Sequence, residues 1–208
     1  MKTEILQILR NTDGYVSGQQ LCDTLGVSRT AVWKVINQLK EEGYEIEAVR
    51  NRGYRIVVAA DVLNASELKS RLHTKHIGSK IYYQSEIDST NSWLKRLAEE
   101  GAPDGSVTIA DMQSRGKGRR GRVWVTPFGT SIPFSILLRP DIRPERASML
   151  TLVMGLCVAE AMEQLYGMDV GIKWPNDVVV NGKKICGILT EMTMQAEYID
   201  SVIIGTGI

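Results

Sequence analysis

Histidine and cysteine are scarce in this sequence, with two of the former and three of the latter in 208 residues. His73 and His76 sit in a polar stretch with no carboxylate or cysteine at metal-ligand or catalytic-triad spacing, and both are read as surface residues. Cys22, Cys157 and Cys186 are odd in number, far apart and surrounded by apolar residues. That spacing supports neither a disulfide framework nor a C-x-x-C metal or redox site; it predicts three buried thiols in a reducing compartment. No N-terminal apolar stretch precedes a cleavage site, and the most apolar segment, Met149–Val158, is far short of the roughly 20 residues that span a bilayer. These absences predict a cytoplasmic protein with no membrane partner and no metal-ligand set. A strong net charge is missing as well: 25 Lys and Arg stand against 24 Asp and Glu. Affinity for a polyanion therefore has to come from local clusters.

What is present is the composition of a folded protein, 43% hydrophobic and 24% charged. The length suits two domains at about 100 to 200 residues each. The densest charge cluster is Ser114–Arg122, S-R-G-K-G-R-R-G-R, with Arg115, Lys117, Arg119, Arg120 and Arg122, no acidic residue, and Gly116, Gly118 and Gly121. Clustered cations on a backbone free to bend form an anion cradle; a solvated basic turn is the alternative. The glycines match G-x-G-x-x-G, yet a dinucleotide loop opens a helix. Here the strand-like Val107–Ala110 precedes the loop, and β-type Val123-Trp124-Val125 and Pro127 follow it. Kinase elements and a G-K-[ST] Walker end are absent.

Residues 1–64 read as a winged helix-turn-helix. Ile5, Leu6, Ile8 and Leu9 give a first helix an apolar face, and Gly14 is expected to end it. Ser17 and Ser28 are N-cap types, and Leu25-Gly26-Val27 between them is a turn where two helices meet steeply. The second of these helices, Arg29 to about Glu42, places Val32, Ile36 and Leu39 inward. Ser28, Arg29, Thr30, Trp33 and Lys34 are left at the end that such motifs lay in a major groove. Tyr44, Ile46 and Ala48 then alternate, and Arg50-Asn51-Arg52-Gly53 forms the tip of a hairpin, the wing. Candidate DNA contacts are therefore Ser28, Arg29, Thr30, Trp33, Lys34, Arg50 and Arg52. Met1–Val58 carries eight basic and seven acidic residues, so non-specific binding should be weak and use on DNA calls for a dimer on a two-fold site.

Ala59–Asn64 interrupts the strand pattern as a linker, with Asn64 or Ser66 capping a helix near Glu67. Residues 65–208 form the second domain. Ile81-Tyr82-Tyr83 is strand-like, and Asp88, Ser89 or Thr90 can cap an amphipathic helix over Trp93–Glu100, whose free N–H groups favour an anion or polar ligand atom. Ser131–Leu138 is a strand, and Glu145–Tyr166 a long helix that is apolar on nearly every face and expected in the core. Asn181-Gly182 between β-type runs is a hairpin signal, and Ile199–Ile204 is the last strand.

Four motifs in one order, Asp88-Ser89-Thr90-Asn91, Gln113 with Gly116–Arg122, Lys173-Trp174-Pro175-Asn176-Asp177, and Lys184 with Gly187, lead to Gly205-Thr206-Gly207-Ile208. With the winged helix, this order resembles the family of bifunctional biotin protein ligases and biotin operon repressors. Lipoate ligases are similar in fold, but their R-R-x-S-G-G-G loop is absent. The resemblance implies an α+β chain, a winged helix-turn-helix followed by a mixed-sheet α/β catalytic domain. Its implied activity is ATP-dependent formation of biotinyl-5′-AMP and transfer of biotin to a lysine of a biotin carboxyl carrier protein. A non-catalytic biotin-sensing DNA-binding regulator is the alternative. Carried over by position, Lys184, Arg119 and Lys117 are the catalytic residues. Biotin and ATP are held by Ser89, Thr90, Asn91, Gln113, Gly116, Lys117, Gly118, Arg119, Asn176, Asp177, Lys184, Gly187 and Gly205, with Mg2+ near the nucleotide. Operator DNA and a homodimer promoted by biotinyl-5′-AMP are the further implied partners. Lys117 stands where the family usually has arginine, which keeps the charge and loses the bidentate fork. The resemblance also implies an adenine-stacking loop and an SH3-like β-barrel after Ile208, which this sequence does not contain.

Overall fold

A computed structural model describes residues 1–58 and 61–208. Ala59 and Ala60, at the start of the expected linker, lie outside the described residues. The chain divides into two compact units, Met1–His73 and Thr74–Ile208.

In the first unit three helices and a hairpin enclose one core: α1 (Lys2–Arg10), α2 (Gly18–Leu25), α3 (Arg29–Glu41), β1 (Glu45–Val49) and β2 (Gly53–Val58). α1 stops at Asn11, short of Gly14, which lies in the following turn at φ 105°. The Ser17 and Ser28 hydroxyls accept from the N–H groups of Gln20 and Ala31, so both serines cap as their type predicts. Leu6, Leu21, Val32, Ile36 and Leu39 are fully buried, with Val35 joining the inward face of α3. Val16 pairs with Tyr54 through a single antiparallel β-bridge at the edge of the hairpin. Gly53 permits this: at φ 112° it lies so close to the Val16 carbonyl that a Cβ would collide with it.

The fourth helix, α4 (Ala65–Arg71), is capped by Asn64, whose Oδ1 accepts from the Glu67 N–H at 2.9 Å. It belongs to the first unit, so the division falls nine residues beyond the expected boundary at Asn64, at His73. The cause is a buried carboxylate. Glu67, 5% exposed, accepts two bonds from Arg10 (2.5 and 2.6 Å), one from Arg71 (2.7 Å) and one from the Tyr44 hydroxyl.

The second unit is one seven-stranded mixed sheet with a helix on each face. In sequence it runs β3 (Ile81–Ile87), α5 (Thr90–Glu99), β4 (Val107–Gln113), β5 (Pro133–Leu138), α6 (Met149–Tyr166), β6 (Val170–Lys173), β7 (Asp177–Val180), β8 (Lys183–Gln195) and β9 (Tyr198–Gly207). In space the order is β3-β4-β5-β9-β8-β7-β6, with β3 and β4 parallel and every other pair antiparallel. Alternation along β9 sends Ile203 to Leu94 of α5, and Val202 and Ile204 to Val158 and Ala159 of α6. The β7–β8 turn is Asn181-Gly182 with both residues at positive φ, 51° and 73°, the type I′ geometry that suits strand twist.

Two expectations are corrected here. α6 is not enclosed: Leu152, Val153, Leu156 and Leu165 are exposed, and Cys157 with them, because the helix lays only one side on β6–β9. The apolar segment is also longer than Met149–Val158. Pro144–Tyr166 is long and apolar enough to cross a membrane by length and composition, its most apolar 18-residue window having mean hydropathy 1.3, although in this fold it packs on a sheet.

Candidate functional site

Three glycines make a floor. Gly187 on β8 is paired with Gly207 on β9, and Gly205 lies two residues along on the same face, the face that α5 covers. With no Cβ there, other groups lie flat on the backbone. A Cβ at Gly205 would run into the Asn91 carboxamide, one at Gly207 would stand 2.5 Å from the Trp124 indole nitrogen, and one at Gly187 would be 2.8 Å from Trp124 and 3.0 Å from Lys184 Nζ. Gly187 and Gly205 are thus floor positions that make room for other site residues, as Gly207 also is.

Lys184 reaches this face through a β-bulge. The β7–β8 register slips between Val178 and Val179, which face Cys186 and Lys184 respectively, leaving Ile185 as the extra residue. In a regular ladder Lys184 would share the face of Cys186 and Ile188, buried under α6. The extra residue turns it over. Its ammonium then lies 2.7 Å from Asp177 Oδ1 and 5.1 Å from the centre of the Trp124 ring.

The wall is the N-terminus of α5. Ser89 is the N-cap residue, but its side chain makes no capping bond; Gln113, at the end of β4, accepts the Thr90 N–H at 2.8 Å. Ser89, Thr90 and Asn91 are all buried, and Thr90 and Asn91 form a hydrogen-bonded polar cluster with Ser135. Asp88 takes no part in the cleft: it is bound by Arg96 at 2.8 and 2.9 Å and accepts the Ser89 N–H, which holds its carboxyl down at about 2.

The roof is the basic loop. Arg119 reaches Asn176 Oδ1 at 2.7 Å, while Asn176 Nδ2 donates to the Ile188 carbonyl at 3.0 Å. Lys117 and Gly118 line the cleft beside Arg119. Gly116 does not: its carbonyl accepts from the Trp124 N–H and it lines the loop's outer groove with Arg115, Arg120 and Arg122. The β-type Val123–Val125 is no strand, with isolated bridges only at Val123, to Lys117, and at Thr126, to Gln113, and Arg119–Gly121 is a single 3-10 turn with Arg120 at φ 58°.

Closed in this way, the cleft has room for about 50 Å3, enough for a few waters. One polar atom of its lining, Trp124 Nε1, is buried without a partner, whereas the equally unpaired Thr206 Oγ1 lies on the α6 face of β9 with Ile204. Leaving a buried donor unpaired costs about 1–3 kcal/mol, and such an atom over the glycine floor marks a place where a polar ligand belongs. Among the described residues no group of three metal-ligating side chains occurs.

Residues 83–208 match the model of the biotin/lipoate A/B protein ligase family, and residues 2–55 that of an HTH domain. The chain belongs to the biotin/lipoate A/B protein ligase family. It is 45% identical over 93% of its length to the bifunctional ligase/repressor BirA of Bacillus spizizenii, and 35% identical over 99% to that of Escherichia coli. It spans 60% and 62% of those two proteins. Among solved structures, the biotin protein ligase of Aquifex aeolicus in complex with biotin and ATP matches 62% of this chain and 52% of its own, at 38% identity and TM-score 0.54.

Of the ligase-family positions expected from sequence, Ser89, Thr90, Asn91, Gln113, Lys117, Gly118, Arg119, Asn176, Lys184, Gly187 and Gly205 line the one cleft. Asp177 joins through Lys184, and Gly116 stays on the outside of the loop. Sequence reading missed Trp124, taken there as mere β-type sequence, together with Ser135 and Glu191, which bond Asn91. The tryptophan directly after a glycine-rich basic loop was the available signal.

In the helix-turn-helix unit Arg29, Thr30, Trp33, Lys34, Arg50 and Arg52 are exposed, with Trp33 at 56%. Arg29, Arg50 and Arg52 line a groove between the α2 and α3 N-termini and the hairpin tip. Arg29 is held by Gln19 Oε1 at 2.8 and 3.2 Å, and Arg52 lies 5.6 Å from the Tyr15 ring centre. Ser28 is engaged as the cap of α3.

Proposed function

We propose that this chain carries a biotin protein ligase site joined to a DNA-binding unit. It activates biotin with ATP to biotinyl-5′-AMP, passes biotin to a lysine of a biotin carboxyl carrier protein, and represses biotin genes as the adenylate complex. The observation that carries the reading is the convergence on a glycine floor of the α5 N-terminus, Lys184 and the basic loop, beside the unpaired buried Trp124 indole N–H.

In the first step a biotin carboxylate oxygen bonds to the α-phosphorus and the bond to the β-phosphate oxygen breaks, releasing pyrophosphate. In the second, the carrier's ε-amine bonds to the acyl carbon, loses a proton, and AMP departs. Both nucleophiles come from the substrates, so the protein's task is to bring anions together and stabilise charge on phosphorus with fixed cations. Lys184, held by Asp177, bridges carboxylate and α-phosphate. Arg119, held by Asn176, and Lys117 cover the phosphates, with Gly118 between them. Ser89, Thr90, Asn91 and Gln113 hold the ureido ring. A magnesium ion would neutralise phosphate charge; it takes few carboxylates beside phosphate oxygens and water, and Asp177 would hold it through the carboxylate oxygen that Lys184 does not occupy, with Asn176 beside it.

A bicyclic ligand exceeds the closed cleft, so Trp124 and the loop lift to admit it and settle again over the adenylate. That ordering promotes a homodimer in the cytoplasm and places two winged helices on a two-fold operator, with Arg29, Thr30, Trp33, Lys34, Arg50 and Arg52 facing DNA. The test is biotin-dependent exchange of labelled pyrophosphate into ATP by the natural protein that carries this sequence. Exchange is expected, and Lys184→Ala should abolish it; exchange untouched by that substitution would remove the role given to Lys184. Biotin binding with no exchange would point instead to a regulator without catalysis.

A further inference from the structure

We propose that Glu191 is a positioning residue of this site. Its carboxylate fixes the direction of the Asn91 carboxamide and thereby keeps the buried cluster one proton short, so that the cluster selects a ligand N–H donor. The inference rests on the biotin reading above.

Three oxygen contacts run in series under the cleft: Asn91 Oδ1 to Ser135 Oγ at 2.6 Å, Ser135 Oγ to Thr90 Oγ1 at 2.9 Å, and Thr90 Oγ1 to Gln113 Oε1 at 3.1 Å. Each contact needs one hydrogen, and the two hydroxyls supply two. At one end, Asn91 Nδ2 faces Glu191 Oε2 at 2.7 Å and the Leu189 carbonyl at 3.2 Å. Both of those groups accept only, so the NH2 lies on their side and Oδ1 on the side of Ser135. That claims the serine proton. At the other end Gln113 Oε1 accepts the Thr90 N–H at 2.8 Å while Nε2 donates to Thr126 at 3.2 Å, which makes Oε1 an acceptor towards Thr90 Oγ1 too. The threonine proton then serves either Ser135 or Gln113 and leaves the other wanting.

A reversed Asn91 would abolish this demand. Its NH2 would donate to Ser135, Ser135 to Thr90, and Thr90 to Gln113, and all three contacts would be filled without a ligand. The Leu189 carbonyl alone opposes that reversal once Glu191 is gone. Thr90 and Ser135 are 3% and 0% exposed, so bulk water does not readily supply the missing hydrogen. Glu191 itself is exposed on β8, where its replacement leaves the core intact.

The experiment measures biotin affinity by calorimetry for the unaltered chain, E191L, E191Q, S135A and the S135A/E191L pair, with thermal unfolding as the folding control. Glutamine keeps an acceptor for Asn91. E191L should weaken biotin about tenfold, the size expected for one lost net hydrogen bond, and E191Q should stay within about twofold of the unaltered chain. Adding E191L to S135A should change nothing further, since the path to Thr90 is already cut. Unchanged affinity in E191L, equal losses in E191L and E191Q, or effects that add in the double variant would overturn the inference. If the unaltered chain binds no biotin, the ligase reading fails, and the Asn91 side-chain amide resonances decide the role of Glu191. E191L should shift or broaden them and E191Q preserve them; resonances untouched by E191L overturn it.

Discussion

Replacing Gly205 with alanine puts a methyl group where the Asn91 carboxamide lies. The strand has nowhere to go: Gly205 is paired with Ser135 on one side and Leu189 on the other, inside β5-β9-β8. Asn91 must therefore turn away, and it gives up the bond from Ser135 and the bonds to Leu189 and Glu191. Three hydrogen bonds at about 0.5–1.5 kcal/mol each, with overpacking of about 1–3 kcal/mol, predict a loss of about 4 kcal/mol. Thermal unfolding of the variant should fall by about 10–15 °C for a unit of this size, and biotin should bind at least about tenfold more weakly. Gly155→Ala is the matched control, because its methyl meets Ile188 and Ile172 at ordinary contact distances of 3.7 and 3.8 Å and alanine favours a helix by up to about 1 kcal/mol. In an Asn91→Ala background the Gly205 methyl meets no carboxamide, so its cost should drop below about 1 kcal/mol. A Gly205→Ala protein that melts within about 2 °C of the parent and binds biotin as before would refute the floor as the reason for this glycine.

Glu67→Ala should cost the first unit about 3 kcal/mol, since it leaves Arg10 without its buried partner, and a melting point unmoved by it would separate α4 from that unit's stability. Burial pushes the Glu67 pKa up, but bonds from Tyr44, Arg10 and Arg71 outweigh it and the net shift is downward. Its contribution is therefore complete above the ordinary carboxylate range and fades as pH falls through the lowered value, which acid unfolding of Glu67→Gln against the parent would read. Native thiol labelling should modify exposed Cys157 and spare Cys186, whose thiol burial pushes up to about 12; rapid labelling of Cys186 would contradict the packing of β8 under α6. Arg52→Ala should lower operator affinity and reduce the salt slope by about one, whereas Ser28→Ala should act through stability, costing about 1 kcal/mol as a lost cap.

Local chemistry was legible in the sequence. Ser17, Ser28 and Asn64 cap where capping types stand, Asn181-Gly182 turns a hairpin, and the order of motifs along residues 88–207 pointed to one site. What escaped depends on partners distant in sequence. Glu67 is an ordinary helix-surface glutamate until Arg10 and Tyr44 close on it, and this long-range ion cluster moved the boundary to His73. Cys157 and Cys186 sit in equally apolar sequence, and only the single-sided packing of α6 exposes the first and buries the second.

Lys184 is the clearest case of a residue whose identity was readable and whose position was not. Hydrophobic alternation along Cys186 and Ile188 assigns it to the α6 face, where an ammonium would be buried against Val158 and Ala159. A charge buried there without a partner is costly enough to be lost or neutralised. The one-residue bulge at Ile185 turns the side chain to the glycine floor, beside Asp177 and Trp124, and leaves the apolar alternation of the rest of β8 unbroken. The motif therefore encodes the lysine, while the register slip against β7 makes it available to a ligand. Inserting one alanine between Val178 and Val179 gives Ile185 a partner and makes the ladder regular, which should return Lys184 to the wrong face and abolish biotin activation with the lysine still present.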